Sequence, residues 1–509
     1  MTSRPLPISL DRDQPSPIYR QIYERIRNAI LAGTLAPGTR LPSWNGLASQ
    51  LGVARGTVKA AYDWLAGEGY VLGRGAAGTV VPPIFRTPRR GAEKRRVGYR
   101  RNARRASQPP VADDTHRARP PLLTDDLHCA TPAADADAPV SGRVAPFQMG
   151  FPALDAFPRK LWTRVAAQCV RRFDDTATGY TDLMGYRPLR ESIAAYVAVS
   201  RGIACTAEQV FITCGYSGAL ELICRTLLEA GDRVWIEDPA FFRTLALLQL
   251  TGVRVVPVPV DEKGLRVSAG TALAPDARFA VVTPSHQAPL GMPLSLPRRL
   301  ELLDWAARRK RWIVEDDYYG EFNLTARPMS ALSSLDEAGR VLYAGTFSKT
   351  LLPSLRLGYL IVPGPALQRF RQAAHALLPA PPVLVQHTVC EFMHQGHFGR
   401  HMQRMRKLYA ERKHSLLAAL QAQFGGALRL DPTGTGLHLV AHLRAGTDDA
   451  AFARAAHAAG LGAHALSAAT VRLRRAPAML LSFTNIDAAQ ATAEVQRLAA
   501  AARSVKILP

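Results

Sequence analysis

Residues 345–362 read GTFSKTLLPSLRLGYLIV: a strand-like run, a turn carrying Ser348 and Lys349, and a second apolar run around Arg356, seven residues beyond the lysine. Working outward, the short apolar runs QVFITC, RVWIEDP, RFAVVTPS, RWIVEDD and RVLYAGT precede it, separated by helical patterns. Short buried strands alternating with helices are what a largely parallel sheet with helical crossovers requires. The expectation is therefore an α/β domain over residues 146–509, with a mixed, mostly parallel sheet.

Upstream, residues 82–145 show no sustained periodicity. Arg86, Arg89, Arg90, Lys94, Arg95, Arg96, Arg100, Arg101, Arg104 and Arg105 are followed there by a Pro-, Ala- and Asp-rich stretch. This reads as a linker, its basic half either a solvated spacer or an arm adding phosphate contacts. Before it, residues 1–81 carry a different pattern. Ser16 and Pro17 supply a cap and a first helical position, Ile18, Ile22, Ile26 and Ile30 form one helix face, and Gly33 stops it. Ser43 caps a short helix through Leu47 to Leu51, Gly52 breaks the chain, and a third helix buries Val58, Tyr62 and Leu65. The following YVLGRGAAGTVV has apolar ends around a glycine-rich tip, which predicts a two-stranded wing. Helix, turn, helix and wing make a DNA-binding unit the expectation.

Composition agrees. The 509 residues are 47% hydrophobic and 21% charged, which excludes a mostly disordered chain, and the net charge of +23 favours a polyanionic partner. The six cysteines form no C-x-x-C pair, so reduced thiols in a cytoplasmic protein are expected. No apolar run approaches the roughly eighteen residues of a membrane span, and the N-terminus lacks a signal-like apolar segment. His394, His397 and His401 would share a face if HQGHFGRH were one helix, but no carboxylate or cysteine accompanies them at ligand spacing, and no metal site is expected.

The segment TRLPSWNGLASQLGVARGTVKAAYDWLAGEGYVLGRGAAGTVV resembles the winged helix-turn-helix of GntR-type bacterial regulators. The resemblance implies double-stranded promoter or operator DNA as partner. Arg55 and Lys59 would reach base edges or phosphates in the major groove, Arg74 in the wing the adjacent backbone or minor groove, and Arg40 and Thr57 phosphates. Asn45 stands where that family usually has arginine.

The lysine segment resembles that of fold-type I pyridoxal phosphate enzymes, the class I and II aminotransferases. There the lysine amine condenses with the aldehyde of pyridoxal 5'-phosphate, and Arg356, Thr346 and Ser348 would clamp the phosphate. Three further words match in order. In RWIVEDDYYGEF, Asp316 would pair with the pyridinium nitrogen and Tyr318, or alternatively Tyr319, would meet the ring oxygen. In ITCGYSGALEL, Gly215, Tyr216 and Ser217 would hold the phosphate at a helix start. In WIEDPAFF, Phe241 would stack on the ring. The resemblance makes Tyr180 the residue that crosses to a neighbouring cofactor, and so implies a homodimer through this domain.

A GntR-like head, a linker and an aminotransferase-like body carrying VTPSHQAPLG together resemble the MocR regulators. That likeness places His286 and Gln287 beside the cofactor's ring oxygen and Arg243 in recognition of a small amine or amino-acid effector. Leu290 stands where that family usually has threonine. Leu480, in AMLLSFTN, stands where true aminotransferases carry the arginine that binds a substrate carboxylate, with Arg472, Arg474 or Arg475 as possible substitutes. The expected function is a pyridoxal phosphate-dependent, DNA-binding transcriptional regulator that senses an amine, an amino acid or pyridoxal phosphate itself. The competing readings are an active aminotransferase with a fused DNA-binding domain, and a DNA-binding protein whose body is an empty scaffold.

Overall fold

The computed structural model describes residues 6, 8–11, 18–31, 33–67, 70–73, 78–81, 144–172, 182–322, 330–377, 380–430, 436–473 and 475–508. Arg74, Tyr180, Arg474 and the 82–143 stretch, all singled out from the sequence, lie outside them.

The head is built from α1 (Ile18–Leu31), α2 (Trp44–Leu51) and α3 (Arg55–Gly67), closed by the antiparallel wing strands β1 (Leu72–Gly73) and β2 (Thr79–Val80). The Ser43 side chain accepts from the Gly46 N–H at 3.0 Å, and Gly52 leaves α2 in the left-handed region at φ 62°, so cap and stop fix the turn before α3. Ile22, Ile26, Ile30, Leu47, Val58, Tyr62 and Leu65 form one buried core. The same core takes in Val199 from the body, and the Tyr70 hydroxyl donates to the Ala195 carbonyl at 3.5 Å.

The body's large sheet comprises β3 (Val210–Thr213), β4 (Arg233–Asp238), β5 (Arg254–Asp261), β6 (Gly264–Leu265), β7 (Phe279–Val282), β8 (Trp312–Asp317), β9 (Val341–Thr346) and β10 (Gly358–Ile361). Its order is β3-β10-β9-β8-β7-β4-β5-β6, parallel except at β10 and β6. Strand alternation sends Val234 and Ile236 to one face and Trp235 to the other, each under its own helical layer.

A second, antiparallel sheet follows, ordered β11-β12-β14-β13, from β11 (Arg429–Leu430), β12 (His438–His442), β13 (His464–Ala465) and β14 (Ala478–Ser482). Phe147 bridges to Ser482, so the start of the body is pinned to this sheet. The segment HQGHFGRH is not one helix. Gly396, at φ 66°, separates Val383–His394 from His397–Phe424, and the three imidazoles turn to Ser192, Gln395 and the Thr350 carbonyl respectively. Among the described residues no His/Cys/Asp/Glu cluster suits a metal ion, and no helix is long and apolar enough to cross a membrane.

Candidate functional site

Ligands of open α/β sheets sit at the carboxyl ends of the parallel strands, and here those ends carry Phe241 after β4, Asp316 in β8 and Thr346 in β9. Lys349 follows β9, and its Nζ donates to the Gly150 carbonyl. Sheet register explains what surrounds it. Gly358 of β10 pairs with Thr346 on one side and Thr213 on the other, drawing the Gly215 turn against β9. A Cβ on Gly358 would sit 2.8 Å from the Gly215 Cα, so glycine is what permits this approach.

Gly215, at φ 70°, opens the helix Gly215–Leu227, whose first N–H groups and dipole suit an anion. The Arg356 guanidinium reaches the same end, 3.4 Å from the Cys214 carbonyl, from a residue itself in the left-handed region at φ 47°. The Thr346 hydroxyl accepts from the Ser348 N–H at 3.1 Å and shapes the turn before the lysine. Thr346, Ser348 and Arg356 thus lie around the helix start at residues 215–217, an arrangement that suits an anion.

Alternation along β8 sorts its three carboxylates. Glu315 and Asp317 share one face: Glu315 accepts the N–H groups of Leu332 and Ser333 at 2.8 and 2.7 Å, and Asp317 meets Arg201 at 2.6 Å and the Tyr343 hydroxyl at 2.6 Å. Asp316 faces the other way. Burial drives its carboxyl well above the ordinary range, reinforced by Asp317 and opposed by the Lys349 ammonium and the Tyr216 phenol. Tyr216 also bonds Thr244, 2.9 Å away.

The Tyr318 hydroxyl is buried with no hydrogen-bond partner among the described residues, and its neighbouring charges include Asp316 and Glu237. Tyr319 instead packs toward Tyr409, and its carbonyl bonds the His286 Nε2 at 3.1 Å. Of the two tyrosines, then, it is Tyr318 that presents an orphaned phenol on the Asp316 side. His286 is buried behind Tyr319, and burial pushes its imidazole down to about 4. Gln287 is fully engaged, its amide donating to the Pro239 and Ala288 carbonyls and its oxygen accepting from the Leu290 N–H. Phe241 keeps its ring 37% exposed, and Arg243 lies over the Phe242 ring at 5.4 Å.

Glu237 and Arg201 have roles that sequence reasoning missed. Glu237 is buried near Asp316 and accepts from the Thr283 hydroxyl and amide; burial raises its carboxyl to about 7. Arg201 is buried against Asp317 and also donates to Ser285, tying the 285–287 corner to β8. Only the acidic word IEDP hinted at the first, and nothing in the sequence marked the second.

The pyridoxal group fits this set: an orphaned phenol, a buried carboxylate, a lysine amine and an anion cradle occur in the arrangement it needs. On the head, Arg55 and Lys59 are exposed on α3, Lys59 pairing with Asp63 at 2.8 Å and lying 5.6 Å from the Trp44 ring. Trp44, 44% exposed, is an unexpected aromatic on that side. Thr57 is half-buried, and Arg40 bridges to Val80 against the wing's Gly78.

Comparison with known proteins gives two family matches: "Bacterial regulatory proteins, gntR family" over residues 18–81 and "Aminotransferase class I and II" over residues 156–490. The probable rhizopine catabolism regulatory protein MocR of Rhizobium meliloti is 35% identical over 481 residues, covering 94% of this chain and 92% of that one. The HTH-type transcriptional regulator TauR of Rhodobacter capsulatus is 33% identical, over 79% of this chain and 80% of its own. Among solved structures, the α-aminoadipate aminotransferase LysN of Thermus thermophilus superposes with a TM-score of 0.65 at 28% identity, covering 71% of this chain and 92% of that one.

Proposed function

Because the chain belongs to the family of GntR-headed regulators with an aminotransferase class I and II body, the MocR regulators, we propose that it is a pyridoxal 5'-phosphate-dependent, DNA-binding transcriptional regulator whose body senses a small amine or amino acid. One observation carries the reading of the body: Lys349 stands between the buried Asp316 carboxylate and the anion cradle of Thr346, Ser348, Arg356 and the Gly215 helix. Bound there, pyridoxal 5'-phosphate supplies an aldehyde that captures primary amines and a ring that withdraws electrons.

The residues divide the work. Lys349 would hold the pyridoxal group through its amine, and Asp316 would keep a proton at the ring nitrogen. Tyr318 would donate to the ring oxygen, Phe241 would cover the ring, and Gly215, Tyr216 and Ser217 would anchor the phosphate. His286 holds the Tyr319 carbonyl and so fixes the approach of Tyr318. Arg243 meets the effector at the rim, and Tyr180 completes the neighbouring site in a homodimer. Arg55, Lys59, Thr57, Arg40 and Arg74 face DNA. Effector binding changes DNA binding only to the extent that the effector prefers one arrangement of head and body.

The test joins spectroscopy to footprinting. The loaded protein shows the visible absorbance of lysine-bound pyridoxal, and Lys349→Ala loses it while the head still protects DNA. A band that survives the substitution overturns the assignment of the lysine. The reading as an active aminotransferase rests on the same cofactor residues, and sustained keto-acid formation over many cofactor equivalents from a common α-amino acid would establish it instead.

A further inference from the structure

Beside Lys349 lies a wall with no charge on it. Val440 of β12 pairs across the small sheet with Leu480 of β14, and the two sit in one apolar cluster with Leu466 and Ala478. Met149 and Leu290, both half-exposed, pack on it and form its open edge. Met149 is joined to Gly150, whose carbonyl takes the Lys349 ammonium and whose Cα position is so close that a Cβ there would be 3.4 Å from the Lys349 Nζ. The edge of the cluster is therefore at the reacting amine.

Among the described residues, Arg475, the 471–473 backbone and His438 Nε2 are engaged with groups outside the cluster. Arg475 donates to the Val260 and Asp238 carbonyls. The backbone N–H groups of Val471, Arg472 and Leu473 all bond the Asp238 carboxylate, at 2.9–3.0 Å, which fixes that loop with the Arg472 side chain exposed. His438, two residues before Val440, meets the Pro289 carbonyl through Nε2 at 2.6 Å. A carbonyl only accepts, so Nε2 carries the proton, and burial keeps the ring neutral with a bare lone pair at Nδ1. Among the described residues no cation belongs to this cluster, so a carboxylate placed here loses water without gaining a counter-charge from it, whereas an alkyl or aryl group gains apolar contact.

We propose that Met149, Leu290, Val440 and Leu480 form an apolar subsite at Lys349, and that the effector is a primary amine with an apolar substituent and no carboxylate on its amine-bearing carbon. This rests on the sensing function proposed above and narrows its ligand class.

Matched pairs that differ only in the carboxylate decide it: 2-phenylethylamine against phenylalanine, and pentylamine against norleucine. Each is titrated into the pyridoxal-loaded full-length protein, following both the visible absorbance and the melting temperature. The amine of each pair is expected to half-saturate at a concentration at least about tenfold below that of its amino acid. Leu480→Arg, which places a cation on the wall, narrows or reverses that ratio; Leu290→Thr weakens the amines without helping the amino acids. Equal or tighter binding of the amino acids, or no response to either member of both pairs, overturns the subsite. These failures leave the sensing function standing, because that reading falls on other results: a loaded protein that lacks the lysine-bound absorbance, or sustained keto-acid formation.

Discussion

At the scale of single residues, the site keeps groups that the folded chain alone does not satisfy. The Tyr318 hydroxyl is buried and unpartnered among the described residues, a cost of roughly 1–3 kcal/mol that a bound ring oxygen would relieve. Tyr318→Phe should therefore leave the cofactor-free protein as stable or more so by up to about 1 kcal/mol, while weakening pyridoxal phosphate binding. Melting temperatures with and without cofactor read both effects, and an unchanged cofactor affinity would remove Tyr318 from the site. Glu237 supplies a pH dependence of definite sign. Its carboxyl is raised from 4.5 to about 7, so across that interval the folded chain holds a proton the unfolded chain has released. Stability from this group is complete below the lower value and is lost as pH rises through the upper one. His286, lowered from 6.5 to about 4, acts oppositely and loses stability as pH falls. Glu237→Gln should flatten the decline in melting temperature from about pH 5 to about pH 8; an unaltered slope would show that Glu237 is already ionised. Lys349, Asp316 and Arg356 were singled out because the sequence words around them resemble a known pattern. Glu237 and Arg201 were not, because a burial partner is a property of three-dimensional packing and leaves no mark in spacing.

At the scale of elements, the sequence carried the strands better than their arrangement. Six of the eight strands of the large sheet were readable as continuous apolar stretches, since strands covered on both faces need no polar alternation, while β5 and β6 were not picked out. The antiparallel course of β10 was not readable either, because LRLGYLIV reads the same in either direction. The small sheet escaped notice too: β11 and β13 are two residues each, too short for any period to show. Nor did HQGHFGRH reveal its break, since a glycine within a helical pattern is only a weak stop signal. The antiparallel course of β10 is what sets Gly358 between Thr346 and Thr213 and lets the Gly215 turn close on β9. Gly358→Ala should therefore damage the phosphate cradle directly. Its Cβ meets backbone, which cannot swing aside, so the expected result is a loss of roughly 1–3 kcal/mol in stability and a larger fractional loss in pyridoxal phosphate affinity. A variant that binds pyridoxal phosphate as well as the parent would show that the helix start does not carry the phosphate.

At the scale of the whole molecule, head and body share a hydrophobic core at Val199, and the Gln403 amide on the helix His397–Phe424 donates to the Asp63 carbonyl of α3 at 3.1 Å. Helix α3 is therefore held on its Asp63 side by the domain that carries Lys349. Val199→Ala removes fully buried methyls and should cost roughly 1–3 kcal/mol, lowering the melting of the head while leaving the visible absorbance of the body in place. The net charge of +23 makes any DNA affinity strongly salt-dependent, so the contribution of α3 has to be read from slopes as well as from single affinities. Lys59→Ala should reduce the slope of log affinity against log salt by about one if the ammonium neutralises a phosphate. Asp63→Asn, which frees Lys59 from its ion pair, should strengthen binding at every salt concentration. Arg55→Ala should cost about 1–3 kcal/mol on the operator and much less on unrelated DNA if the guanidinium reads a base edge. Equal losses on operator and unrelated DNA would reassign Arg55 to the backbone, and unchanged affinity and slope for both Arg55→Ala and Lys59→Ala would mean that α3 does not enter the groove.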